Sequence, residues 1–182
     1  MSQTFFRFFR HAFSPKYLLL TNTVSCTSLL AVGDILQQYL HGEWNPKQSK
    51  SFDGWRTFRF CVLGLVIGPA NHYWFKFLDS YFIHGRKSAI VAKKVASDIA
   101  IAPAFDSFFI TGVAVLEGKT VLAGLQEYCR KFVKLMTLDI VMFTPTQVIN
   151  FWLLPPPFRV VYTCSVLLIY DCILSHIKHN ER

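Results

Sequence analysis

Five apolar segments, each close to the length of a membrane crossing and each broken by an ionisable residue, constrain this chain more than any other feature. The first, "YLLLTNTVSCTSLLAVG" at residues 17–33, is uncharged, meets Asp34 and runs on to Leu40. The second, residues 58–83, contains His72. The third, residues 95–116, contains Asp98, Pro103 and Asp106; the fourth, residues 135–154, Asp139 and Pro145; the fifth, residues 160–177, Asp171. A helix needs about 20 mostly apolar residues to cross a hydrocarbon core. The first, second and fourth segments meet that length, and the third and fifth come close. An isolated charge facing lipid costs about 2.5–3.5 kcal/mol on insertion scales. These acids must therefore face a bundle interior, a wet cavity or the headgroups. The pattern predicts an all-α, polytopic membrane helix bundle with four or five short, polar-striped transmembrane helices.

Composition agrees. Hydrophobic residues make up 52% of the 182 residues and charged ones 16%, against about 25% charged in an ordinary soluble domain. A chain this short has too little interior to hide that surplus. The net charge of +8 suits an anionic membrane surface, nucleic acid or import into a negatively polarised compartment. No acid precedes Asp34, whereas Arg7, Arg10 and Lys16 do. In "FFRFFRHAFS", Phe5, Phe6, Phe8, Phe9, Ala12 and Phe13 share one helical side, and Arg7, Arg10, His11 and Ser14 take the other. Residues 1–16 thus read as a basic amphipathic segment for mitochondrial import or for lying on the membrane interface. Residues 17–182 read as a single transmembrane domain.

Motifs for chemistry are scarce. Cys26, Cys61, Cys129, Cys164 and Cys172 form no CxxC pair and sit mostly in apolar runs, so they read as small hydrophobes. "EGKT" at residues 117–120 lacks the glycine at position 113 that a phosphate loop requires, since that position is Val. His176 and His179 have no third ligand nearby and read as a solvated tail. Asp98 and Asp106 lie about 80° apart on a straight helix, where polar packing is the better reading than acid–base catalysis. No catalytic residue, cofactor site or metal site emerges, and the expectation is a protein that is not an enzyme. Gly64 and Gly68 form a GxxxG step for close helix packing in lipid. Trp44, Trp55, Tyr73, Trp74, Tyr81, Tyr128 and Trp152 fall mostly near segment ends, as interfacial aromatics do. "WRTFRF" and "YCRKFVKL" interleave cations with aromatics, which suits either membrane anchoring or contact with RNA.

The corner "INFWLLPPPFRVVY" at residues 149–162 joins two apolar segments through three prolines and one arginine. The prolines preset φ and donate no hydrogen bond, so this is a rigid connector. Arg159 is expected to stay charged at the interface or to reach an intramembrane carboxylate such as Asp139 or Asp171. Gln147, Asn150, Phe151, Pro155 and Arg159 in this stretch resemble the signature of the Mpv-seventeen / peroxisomal membrane protein family. The likeness extends to Gly33, Asp34 and Gln38, to Gly68, Pro69, Trp74, Phe75, Leu78 and Asp79, and to Lys94, Asp98 and Pro103. "HYWFKFLD", "LEGKT" and "YDCILSHIK" are most similar to its like-protein-two branch. Phe143, Thr144, Ile99 and Tyr170 depart from the family pattern.

The resemblance implies a multi-pass protein of the mitochondrial inner membrane that supports assembly and stability of the mitochondrial ribosome, and hence mitochondrial translation. The alternative it implies is a non-selective channel for small metabolites in a mitochondrial or peroxisomal membrane. The intramembrane polar or pore-lining candidates are then Asp34, Gln38, Asp98, Asp106, Asp139, Gln147, Asn150 and Asp171. Pro155 and Arg159 mark the turn, and Gly64 and Gly68 the packing face. Expected partners are the lipid bilayer, the large subunit of the mitochondrial ribosome and further copies of the chain; DNA is not among them.

Overall fold

A computed structural model describes residues 11–40 and 51–180, with side chains as far as residue 169. The backbone is helical throughout: α1 (Leu18–Leu40), α2 (Gly54–Tyr81), α3 (Lys87–Leu116), α4 (Val121–Leu138), a π-helical turn (Asp139–Phe143), α5 (Thr144–Leu153), a 3-10 turn (Pro156–Phe158) and α6 (Arg159–Asn180). There is no strand among the described residues. The fold is the all-α membrane helix bundle that the apolar segments predict. Three helical stretches are long and apolar enough to cross a membrane: Leu18–Leu40, Lys87–Leu116 and Val121–Leu153. Large apolar side chains such as Leu65, Val66, Phe108, Val141 and Leu153 point outward, a surface that lipid solvates and water does not. Residues 1–10 of the basic amphipathic segment, together with Trp44, lie outside the described residues.

The helices form two compact units, Met1–Tyr73 with Val160–Arg182, and Trp74–Arg159. In the first, α1 and the middle of α2 come together at the two glycines singled out from the sequence. A Cβ added at Gly64 would sit 2.6 Å from the Thr27 Cα, and one at Gly68 2.7 Å from the Thr23 Cα. Only a missing side chain permits that approach. Asn22, fully buried on α1, meets His72 of α2 through Nδ2 and Nδ1 at 2.9 Å. Cys26 on α1 and Cys164 on α6 are both buried, and their thiols hydrogen-bond to one another.

In the second unit, α3 and α4 form a helical hairpin. The "EGKT" stretch is its turn. Gly118 adopts φ +83°, and the Lys119 amide returns to the Ala114 carbonyl at 2.9 Å, a left-handed helix stop that glycine tolerates without strain. Thr120 then caps α4 by accepting the Ala123 amide at 3.2 Å. Gly124 faces α3, and a Cβ there would lie 2.8 Å from the Thr111 Cα. α2 runs through Pro69 and α3 through Pro103 as continuous helices. Pro145 acts differently. It is the second residue of α5 and has no N–H for the Val141 carbonyl. Just before it the backbone widens into the π turn, with the Thr144 amide bonded to the Asp139 carbonyl.

Candidate functional site: three buried polar clusters

The intramembrane polar residues gather into three clusters, each within one unit. The first belongs to α1 and the start of α2. Asp34 and Gln38 are one helical turn apart and each 1% exposed. Gln38 Nε2 donates to Asp34 Oδ2 at 2.8 Å and to the Asp53 carbonyl at 3.0 Å, and Gln38 Oε1 accepts the Asp53 amide at 2.9 Å. The Thr57 hydroxyl donates to Asp34 Oδ2 at 2.6 Å, and Arg56 Nε lies 2.7 Å from Asp34 Oδ1. Asp53 also caps α2 by accepting the Arg56 amide. The Gly-Asp…Gln motif is therefore a clasp: a carboxylate and an amide on α1 seize the start of α2. Its arginine, threonine and backbone partners were not legible as such in the sequence.

The second cluster surrounds the proline corner. Arg159, 6% exposed, forms an ion pair with Asp79 at the end of α2, and its Nε and terminal nitrogen reach the Leu154 carbonyl at 3.4 and 3.3 Å. Lys94 of α3 reaches the same Asp79 carboxylate at 2.5 Å. The Phe151 ring lies under both cations, 5.3 Å from the Arg159 guanidinium and 5.8 Å from the Lys94 ammonium. Arg159 thus reaches a carboxylate, as expected, and the one it meets here is Asp79. Leu154 is left with an open carbonyl where the prolines end α5, and a guanidinium that caps it stands beside Asp79. The side chain of Asp171 lies outside the described residues.

The third cluster runs along α3, α4, the π turn and α5. Asp98 accepts the Trp74 indole N–H at 2.8 Å and is hydrogen-bonded to Gln147. Gln147 in turn accepts the Asn150 amide at 2.8 Å. Asn150 is fully buried and Gln147 nearly so. Further along, the Asp106 and Asp139 carboxyl groups lie within hydrogen-bonding reach of each other, and the buried Tyr128 hydroxyl lies within electrostatic reach of both. Of the aromatics read from the sequence as interfacial, Trp74 donates to Asp98, and Tyr128 ends beside Asp106 and Asp139. The place of Asp79, Trp74 and Tyr128 in these clusters was not read from the segments one by one; Asp79 and Trp74 carried the family resemblance, and Trp74 and Tyr128 stood out only as aromatics near segment ends. Among the described residues no group of three or more His, Cys, Asp or Glu side chains could hold a metal ion.

Asp34, Gln38, Trp74, Asp79, Lys94, Asp98, Gln147, Asn150, Phe151 and Arg159 of these clusters carry the family likeness, and comparison with known proteins agrees. The profile of the Mpv17 / PMP22 family matches residues 114–175. The chain is 30% identical to Protein sym-1 of Neurospora crassa over 163 residues, 88% of this chain and 91% of that one. This chain belongs to the Mpv17 / PMP22 family. It is also 27% identical to PXMP2/4 family protein 2 of Dictyostelium discoideum over 165 residues, 90% of this chain and 86% of the relative. Identity to the mitochondrial inner membrane protein Mpv17 of Danio rerio is 25% over 165 residues, covering 90% of this chain and 92% of the relative. No solved structure matches. With these relatives and its membrane-length helices, the protein is a multi-pass protein of the mitochondrial inner membrane.

Proposed function

We propose that this family member is a non-enzymatic factor of the inner membrane that holds and stabilises the mitochondrial ribosome. The supporting observation is the display of cations on the unit Trp74–Arg159. Lys76, Arg86, Lys87, Lys93, Lys119, Arg130, Lys131 and Lys134 are all exposed there. Lys119 pairs with Glu117 in the turn before α4, and on α4 Lys131 pairs with Glu127 while Arg130 and Lys134 stand exposed. A cluster of exposed cations on a membrane protein suits the phosphate backbone of RNA. The sequence likeness to the ribosome-associated branch points the same way. The test is a sucrose gradient of gently solubilised mitochondria. The expected outcome is co-sedimentation with the large ribosomal subunit that ribonuclease disperses, and its loss in Arg130→Glu/Lys134→Glu. A protein that stays in light fractions over intact ribosomes would refute the reading.

A second reading, a channel for small solutes, is favoured by the polar line Asp98, Gln147, Asn150, Asp106 and Asp139 within membrane-length helices. Planar-bilayer recording tests it: conductance altered by Asp98→Asn would support a pore, and silence across salts and voltages would oppose one.

A further inference from the structure

The pair Asp106 and Asp139 stands apart from the other acids of the clusters. Asp34 is met by Thr57, Gln38 and Arg56, Asp79 by Lys94 and Arg159, and Asp98 by Trp74 and Gln147. Asp106 and Asp139 instead face one another, and the Oδ2 atom of each is buried without a hydrogen-bond donor. Beside them the Tyr128 side chain, 9% exposed, ends in a buried hydroxyl that likewise has no partner, and the charges of both aspartates act on it.

Two ionised carboxylates are acceptors only and cannot hydrogen-bond to each other. Two like charges held against each other with no donor between them are disfavoured, and one of the two carboxyl groups keeps its proton. Compensation would have to come from the elements packed against the π turn. α3 contributes Asp98, itself an acid. α4 contributes Tyr128 and Cys129. α5, "TPTQVINFWL", has no titratable side chain. Among the described groups, none of these brings a positive charge to the pair.

We propose that Asp106 and Asp139 are a proton-binding site inside the membrane: the two carboxyl groups share one proton, and the Tyr128 hydroxyl donates to the pair. The site carries a single negative charge in place of two. The proton bridges one oxygen of each aspartate, and all three orphaned oxygens are satisfied at once. The π turn contributes by position: it begins at Asp139 and widens the helix at the residue that faces α3.

Infrared spectroscopy of the whole protein in an alkyl-maltoside detergent, which has no carbonyl group, tests this directly. At about pH 7.5 an ordinary aspartate, with pKa about 3.9, is fully ionised. The wild type is expected to show the carbonyl stretch of a protonated carboxyl group at that pH, shifting down in heavy water. Asp106→Asn and Asp139→Asn should each abolish the band, Asp98→Asn should leave it, and Tyr128→Phe should keep it at a changed frequency. Absence of the band in the wild type overturns the proposal without recourse to any variant. So does a band removed only by Asp98→Asn. A spectrum without the band whose carboxylate stretches move on adding sodium or magnesium chloride would assign the pair to a metal cation and equally overturn it.

Discussion

Replacing Asp79 by asparagine should be the most damaging single polar change in the unit Trp74–Arg159, and the reason is charge arithmetic. One carboxylate serves two cations, Lys94 and Arg159, whose side chains are 9% and 8% exposed. The cluster therefore carries one surplus positive charge. Lys94→Met brings it to neutrality and leaves the Arg159–Asp79 pair intact. Asp79→Asn removes the carboxylate that these two neighbouring buried cations share. Removing one partner from a buried ion pair costs about 3–5 kcal/mol. The Asp79 side chain is 22% exposed, which favours the lower end, about 3 kcal/mol. For a chain of this size each kcal/mol moves Tm by about 2–4 °C, so Asp79→Asn should lower Tm by about 6–12 °C. Lys94→Met should cost no more than about 1 kcal/mol, or about 2–4 °C. Arg159→Ala should fall between them, because it also forfeits the Leu154 carbonyl bond and the contact with the Phe151 ring. The assay is thermal unfolding of purified protein in one detergent at one scan rate, since apparent midpoints of membrane proteins depend on rate. If Asp79→Asn melts no lower than Lys94→Met, the reasoning from surplus charge is wrong.

Two further substitutions probe the backbone. Gly64→Ala forces a methyl group against the Thr27 Cα at 2.6 Å and should cost about 1–3 kcal/mol by overpacking; Gly33→Ala, with nothing within 4 Å of the added carbon, should gain about 0.5–1 kcal/mol of helix preference, and melts followed by circular dichroism should move in opposite directions. Gly118→Ala places a Cβ on a residue at φ +83° and should cost about 1–2 kcal/mol, whereas Gly118→Asn should cost less, because asparagine tolerates that region; equal losses in the same melts would count against the helix-stop reading.

Much of the fold is legible in the amino-acid sequence alone. Apolar runs of membrane length bounded by charges locate the helices, because helix formation is local and lipid leaves the backbone no other way to satisfy itself. The glycine step at Gly64 and Gly68 could be read as a packing face for the same reason: a missing side chain permits approach whatever helix arrives. Pro155 and Arg159 could be read as a corner, since three prolines leave no alternative. The widening at Asp139–Phe143 could not. Pro145 announces a break in hydrogen bonding, but whether the helix kinks, ends or takes a π turn depends on what its neighbours hold in place.

The candidate site divides along the same line. That each buried acid needs a partner follows from the cost of a charge in hydrocarbon, and the sequence determines it. Which partner it finds is decided by the tertiary fold. Arg159 takes Asp79, 80 residues away; Asp34 takes Thr57 and Arg56 from the next helix; Trp74 turns to Asp98. Asp106 and Asp139 receive each other. Local pattern fixes a residue's face on its own helix, but pairing across helices depends on their rotation and height, which many weak apolar contacts set together. The demand for compensation is thus written in the residues, and its answer only in how the helices pack.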